Sequence, residues 1–170
     1  MRNGAVFIYN KIMSDKIQIV LCSDSHRTVE PLLYLRKKYA HADYFVHCGD
    51  SELPKEMLEG FACVGGNNDM YGEYPDHLAL SIGSHRIYVT HGHRDMILGH
   101  LELLVKKAKN NQCDIVCYGH SHVADVEVID GITCLNPGSI WHNRDGSTPS
   151  YMDVTLEDSS ITWGKKVYKK

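Results

Sequence analysis

The stretch Ile17-Gln18-Ile19-Val20-Leu21-Cys22-Ser23-Asp24-Ser25-His26 decides how the rest of the chain is read. Its first six residues are nearly all apolar and rich in β-branched side chains, the signature of a strand buried on both faces. Its last four are polar and carry a carboxylate and an imidazole. A buried strand that ends in such groups belongs to the α/β class, where ligands bind beyond the carboxyl ends of strands. Working outward, Thr28 is placed to cap a helix with Pro31 in its first turn, followed by Leu32, Leu33, Leu35 and Tyr39. Tyr44 to Cys48 reads as a second strand, so residues 17–48 form a βαβ unit.

A short helix near Pro54 to Glu59 leads to a strand at Phe61 to Val64. The pattern then turns to hairpins. Leu78 to Ile82 and Arg86 to Thr90 flank Gly83-Ser84, and Val126 to Ile129 and Ile132 to Leu135 flank Asp130-Gly131. Tyr151 to Leu156 and Ile161 to Tyr168 make the last pair. Between them, Ile97, Leu101, Leu104, Val105 and Ala108 recur at helical spacing, and Asp114 to Tyr118 is another buried strand. Mixed sheets with helices outside, in an α/β layering, accommodate this order of elements.

The chain has 170 residues, 43% of them hydrophobic and 23% charged, with a net charge of −3. One domain of this size buries a core without staples. The weak charge excludes a dedicated nucleic-acid or membrane-surface binder, and no apolar run approaches the ~18 residues that cross a bilayer. Six cysteines form no CxxC pair and read as reduced, buried thiols of a cytoplasmic protein. Residues 1–12 are set apart as an N-terminal extension without assigned function. Residues 13–170 form the single domain.

Histidine is over-represented, with 11 copies, and the polar residues cluster at strand ends. Asp24 and His26, Gly49-Asp50, Asn67 within Gly65-Gly66-Asn67-Asn68-Asp69, His91-Gly92-His93, and Gly119-His120-Ser121-His122 each follow a strand. Every motif alone has an ordinary reading: Asp50 as a helix cap, Asn67 as a turn residue, the histidines as surface groups. Together they offer oxygen and imidazole nitrogen without thiolate, a donor set for Mn, Fe, Zn, Co or Ni. Seven ligands exceed the need of one ion and suit two ions that share a carboxylate, ~3.5–4 Å apart.

These five ordered motifs resemble those of the calcineurin-like metallophosphoesterases. The ending Asn136-Pro137-Gly138-Ser139 resembles the small bacterial and archaeal phosphodiesterases of the YfcE type. The resemblance implies a layered sandwich of two mixed β-sheets flanked by helices. It implies one divalent ion, manganese first, held by Asp24, His26, Asp50 and His122. A second would be held by Asp50, Asn67, His91 and His120, with Asp50 bridging. It further implies in-line attack on a phosphate ester, a diester above a monoester or nucleotide pyrophosphate, by a hydroxide between the two ions.

Where the larger enzymes carry a histidine after the metal-binding asparagine, this chain has Asn68, which donates a hydrogen bond but is no general acid. His93 is the candidate to substitute for it. Arg144 is the candidate phosphate contact, with Asn136 and Gly138 shaping the rim. The partners expected are a small phosphate-ester substrate and, at an exposed apolar surface, a second copy of the chain. The alternative is a non-catalytic protein-binding scaffold of the same fold, related to the retromer subunit. A nuclease of the superfamily ranks lower, since a short, mildly acidic chain offers little surface for DNA.

Overall fold

A computed structural model describes residues 16–96 and 98–169, together with the backbone of residues 6–9. Strands β1 (Val6–Tyr9) to β11 (Ser160–Val167) make two mixed sheets. In one, β11, β10 (Ser150–Glu157), β2 (Lys16–Cys22), β3 (Tyr44–His47) and β4 (Phe61–Cys63) lie side by side, with β2, β3 and β4 parallel. In the other, β5 (His77–Ile82), β6 (His85–Thr90), β7 (Ile115–Cys117), β9 (Ile132–Pro137) and β8 (Ala124–Ile129) are adjacent in that order. Strand β1 runs parallel to β5 at the edge of this second sheet, and β6, β7 and β9 are parallel to one another.

Alternation along each strand sorts side chains into three apolar layers. Ile17, Ile19 and Leu21 of β2 face inward and meet Leu80, Ile87, Val89 and Ile115 of the other sheet. Val20 and Cys22 point outward against Leu32 and Leu35 of α1 (Glu30–Lys38). Strand β2 is therefore buried on both faces, as its continuous apolar run requires. On the far side, Leu104, Val105 and Ala108 of α2 (Glu102–Asn110) cover Val116, Tyr118 and Cys134.

Two helix starts differ from the sequence expectation. Val29, not Thr28, precedes α1 without a side-chain cap, and the Thr28 hydroxyl bonds back to the His26 carbonyl at 3.4 Å. The chain is already turning there, because His26 and Arg27 adopt left-handed backbone. Helix α2 begins only after Leu101, since Leu98 and Gly99 have positive φ, which breaks the helical path. Ile97 lies outside the described residues, as does the expected boundary at residues 12 and 13. Among the described residues no helix is long and apolar enough to cross a membrane.

Leu104 is fully buried between α2 and the sheet, whereas Leu33 is 63% exposed. Urea unfolding is expected to find Leu104→Ala destabilised by about 2–5 kcal/mol and Leu33→Ala changed by less than ~0.5 kcal/mol.

Candidate metal centre

The carboxyl ends of β2, β3, β4, β6 and β7 open into five loops that fasten to each other before any side chain is considered. Asp24 N–H donates to the Gly49 carbonyl at 3.0 Å, His26 N–H to Asp50 at 3.1 Å, and Gly119 N–H to His91 at 3.1 Å. Asp24, His26, Asp50, His120 and His122 all have positive φ. Non-glycine residues rarely adopt that conformation, and such strain gathers at functional sites. Five of the seven candidate ligands are thus turned inward by left-handed backbone. Gly66 is needed for contact: a Cβ there would collide with the Asp50 carboxylate.

Protons are pinned away from the centre. His122 Nδ1 lies 2.9 Å from the His142 carbonyl and His91 Nδ1 2.7 Å from the Cys48 carbonyl. A carbonyl only accepts, so each Nδ1 carries a proton and each Nε2 is the nitrogen turned inward. His26 Nδ1 donates likewise to Glu52 Oε1 at 2.7 Å. The inward ring nitrogens then face one another. His26 Nε2 and His122 Nε2 are 3.1 Å apart, and Asp24 Oδ1 is 3.1 Å from His122 Nε2. His91 Nε2 lies 3.3 Å from Asp50 Oδ2 and 3.2 Å from Asn67 Oδ1. Asp24 Oδ1 is buried with no hydrogen-bond partner.

Two ligand sets result, Asp24 with His26 and His122, and Asp24 with Asp50 and His91. Carboxylate oxygens and inward imidazole nitrogens converging this way, without thiolate, are a donor set that fits divalent metal. Burial works to raise the Asp24 carboxyl, but His122 and His91 prevail and hold it below its ordinary range. At Asp50, burial is likewise outweighed by His91 and Asn68, and the carboxyl falls far below that range. Both therefore remain anionic.

His120 contributes its backbone N–H to Asp24 Oδ2 at 3.1 Å, and its ring packs 5.2 Å from that of His91, outside both sets among the described residues. His93 stands 5.4 Å from the His91 ring with its Nδ1 buried and unpaired. Burial first, and then the neighbouring His91, push both imidazoles below their ordinary value.

The structure places the four other candidates as follows. Asn68 gives its side-chain amide to Asp50 Oδ2 at 2.6 Å and its N–H to Oδ1 at 2.8 Å, so it positions that carboxylate. Asn136 is fully buried, and its amide serves Gly119, Ser121 and Gly138, which makes it a strut beneath the loops instead of a rim. Gly138 is buried as well, against Ser150 and Asn143. Arg144 is exposed, and one guanidinium N–H donates to the His120 carbonyl at 3.3 Å.

Other residues escaped the sequence reading. Asp69 accepts from the backbone of Asp50, Glu52 and Gly66 and from the Ser51 hydroxyl, all within 3.0 Å. Its place inside the Asn-Asn-Asp motif was the only available signal. His47, fully buried and pushed down to about 4 by that burial, takes the Gly49 N–H on Nδ1, so its Nε2 proton reaches Ser25. Nothing local marks that role.

Comparison with known proteins agrees with this geometry. The calcineurin-like phosphoesterase superfamily domain matches residues 17–159. The chain belongs to that superfamily and thereby to the metal-dependent phosphoesterases. A probable metallophosphoesterase of Bacillus subtilis (strain 168), YsnB, is 41% identical over 149 residues, 86% of this chain and 88% of that one. A conserved uncharacterized protein of Streptococcus pneumoniae TIGR4, described as a predicted phosphoesterase, superposes with TM-score 0.84 at 34% identity, covering 92% and 91% of the two chains. Vacuolar Protein Sorting 29 of Cryptosporidium parvum shares the fold at TM-score 0.71 and 18% identity, over 91% of this chain and 99% of that one.

At His91, burial lowers the imidazole but Asp50 and Asp24 outweigh it, so the group sits above its ordinary value. A proton then competes with a cation for Nε2. Calorimetric titration with Mn²⁺ is expected to show affinity that is highest above the His91 value, which lies above the ordinary imidazole range, and that falls by about tenfold per pH unit below it.

Proposed function

We propose that the protein hydrolyses phosphodiesters at a pair of divalent cations, manganese first among Mn, Fe, Zn, Co and Ni. The observation that carries this reading is the set of imidazole nitrogens and carboxylate oxygens converging on Asp24 Oδ1. Asp24, His26, Asp50 and His122 would hold one ion, and Asp50, Asn67, His91 and His120 the other. Divalent ions bound there would activate water at neutral pH and offset charge on the phosphoryl oxygens.

The chain's own residues set the rest. The Cys48 and His142 carbonyls fix which nitrogen of His91 and His122 faces inward. Asn68, aided by Asp69 beneath, aims Asp50. Arg144 is tethered at the mouth by His120, leaving its other N–H donors to meet a phosphoryl oxygen. Phosphomonoesters and nucleotide pyrophosphates fit the same groups less well by resemblance. The six buried thiols support a reducing compartment, the cytoplasm.

The test begins with the metal content of the purified protein and a screen of diesters, monoesters and nucleotides. Chelation is expected to abolish turnover and Mn²⁺ to restore it. Asp50→Ala is expected to lower kcat/KM by more than about a hundredfold, beyond the effect of losing an outer partner of a ligand. Protein that binds no divalent ion and cleaves none of these esters overturns the reading.

Asn68 donates to Asp50 and carries no proton for the departing alcohol. The rate is therefore expected to rise steeply as the leaving group becomes more acidic, and Asn68→His to accelerate alkyl esters more than aryl esters. A rate independent of leaving-group pKa refutes this.

A further inference from the structure

A cleft of about 330 Å³ adjoins the centre on its His120 side. It lies between the start of α2 and the outward face of the second sheet. Met96, Leu101, Tyr118 and Val123 line it, and His120 and Ser121 form the wall it shares with the metal loops. The exposed carboxylates of Asp125 and Glu127 also line it, and none of its lining residues is a lysine or arginine.

The placement follows from register. Asp125 pairs with Asn136 and Glu127 with Cys134 across β8 and β9, so both acids share the face on which Cys134 and Tyr118 pack against α2. Glu102 in the first turn of α2 offsets that helix end's partial positive charge. The cleft thus joins an aromatic and apolar floor to two carboxylates, one step from His120. A second phosphate or any carboxylate would be repelled there. A quaternary or primary ammonium would be drawn by the two carboxylates, with its methyl or methylene groups on the apolar floor. The volume suits one small organic group.

We infer that the organic substituent of the phosphate ester lies in this cleft and that the substrate class carries a cationic ammonium on that substituent. The inference rests on the hydrolytic reading above and deepens it.

Three p-nitrophenyl diesters test it, with one leaving group and a second substituent that is 2-(trimethylammonio)ethyl, its neutral isostere 3,3-dimethylbutyl, or 2-carboxyethyl. With Mn²⁺-loaded enzyme, kcat/KM is expected to favour the cationic ester over the neutral one by about five- to tenfold. The anionic ester should be slowest, and the preference should shrink as salt rises. In the double variant Asp125→Asn, Glu127→Gln the cationic-to-neutral ratio is expected to fall below about twofold.

A second readout needs no turnover. In metal-free protein, choline is expected to shift the Met96 methyl resonance, 3,3-dimethylbutanol to shift it less, and the double variant to lose the difference. Equal rates on the three esters with an unmoved Met96 signal overturn the cleft's assignment and leave the hydrolase standing. Turnover of none of the esters, while choline still shifts Met96, overturns the hydrolytic reading and with it the cleft's role toward substrate.

Discussion

Three atoms, Asp24 Oδ1, His26 Nε2 and His122 Nε2, point at one another across 3.1–3.9 Å. That crowding of cation-binding atoms is the constraint around which the end of the sandwich is built. It exists because the opposite ring nitrogens are committed: to a carbonyl for His122 and to the Glu52 carboxylate for His26. Left to itself each imidazole would turn outward. The loops and these outer partners hold the rings at this angle. The cost of that arrangement falls on left-handed backbone at five ligand positions, each of order 1–3 kcal/mol. The surrounding packing has to sustain it.

That packing is also what couples the centre to the sheets. Strand β2 belongs to one sheet and β6 and β7 to the other, yet the loops after them interlock. His91 Nδ1 reaches the Cys48 carbonyl, His120 N–H reaches Asp24, and the Ser139 hydroxyl donates to the Asp24 carbonyl at 2.8 Å. The ligand geometry is complete only when both sheets are docked over Leu21, Val89 and Cys117. A change deep in the inter-sheet core acts on the site through these loops, without touching a ligand.

The parts legible in the sequence are those with local causes. Ile17 to Cys22 declares a doubly buried strand by its own composition, and Asp130-Gly131 declares a hairpin because both residues there adopt positive φ. The gathering of carboxylates and imidazoles at strand ends was legible for the same reason: strand direction places each loop at one edge. What stayed hidden depends on partners far along the chain. Asn136 offers the same polar side chain whether it lines a rim or braces Gly119 from beneath, and only the fold decides. His47 resembles any strand histidine until Ser25 and Gly49 are found on its two nitrogens. The late start of α2 was obscured because the apolar spacing from Ile97 runs through Gly99 without a visible break.

The cysteines divide evenly among the three apolar layers. Cys48 and Cys117 lie between the sheets, Cys113 and Cys134 under α2, and Cys22 and Cys63 under α1. Burial pushes all six thiols up, so none offers the reactive thiolate while its layer is closed. The molecule therefore carries its own set of internal clocks: the order in which these sulfurs become open to an alkylating reagent records which layer breathes first, with no foreign probe attached.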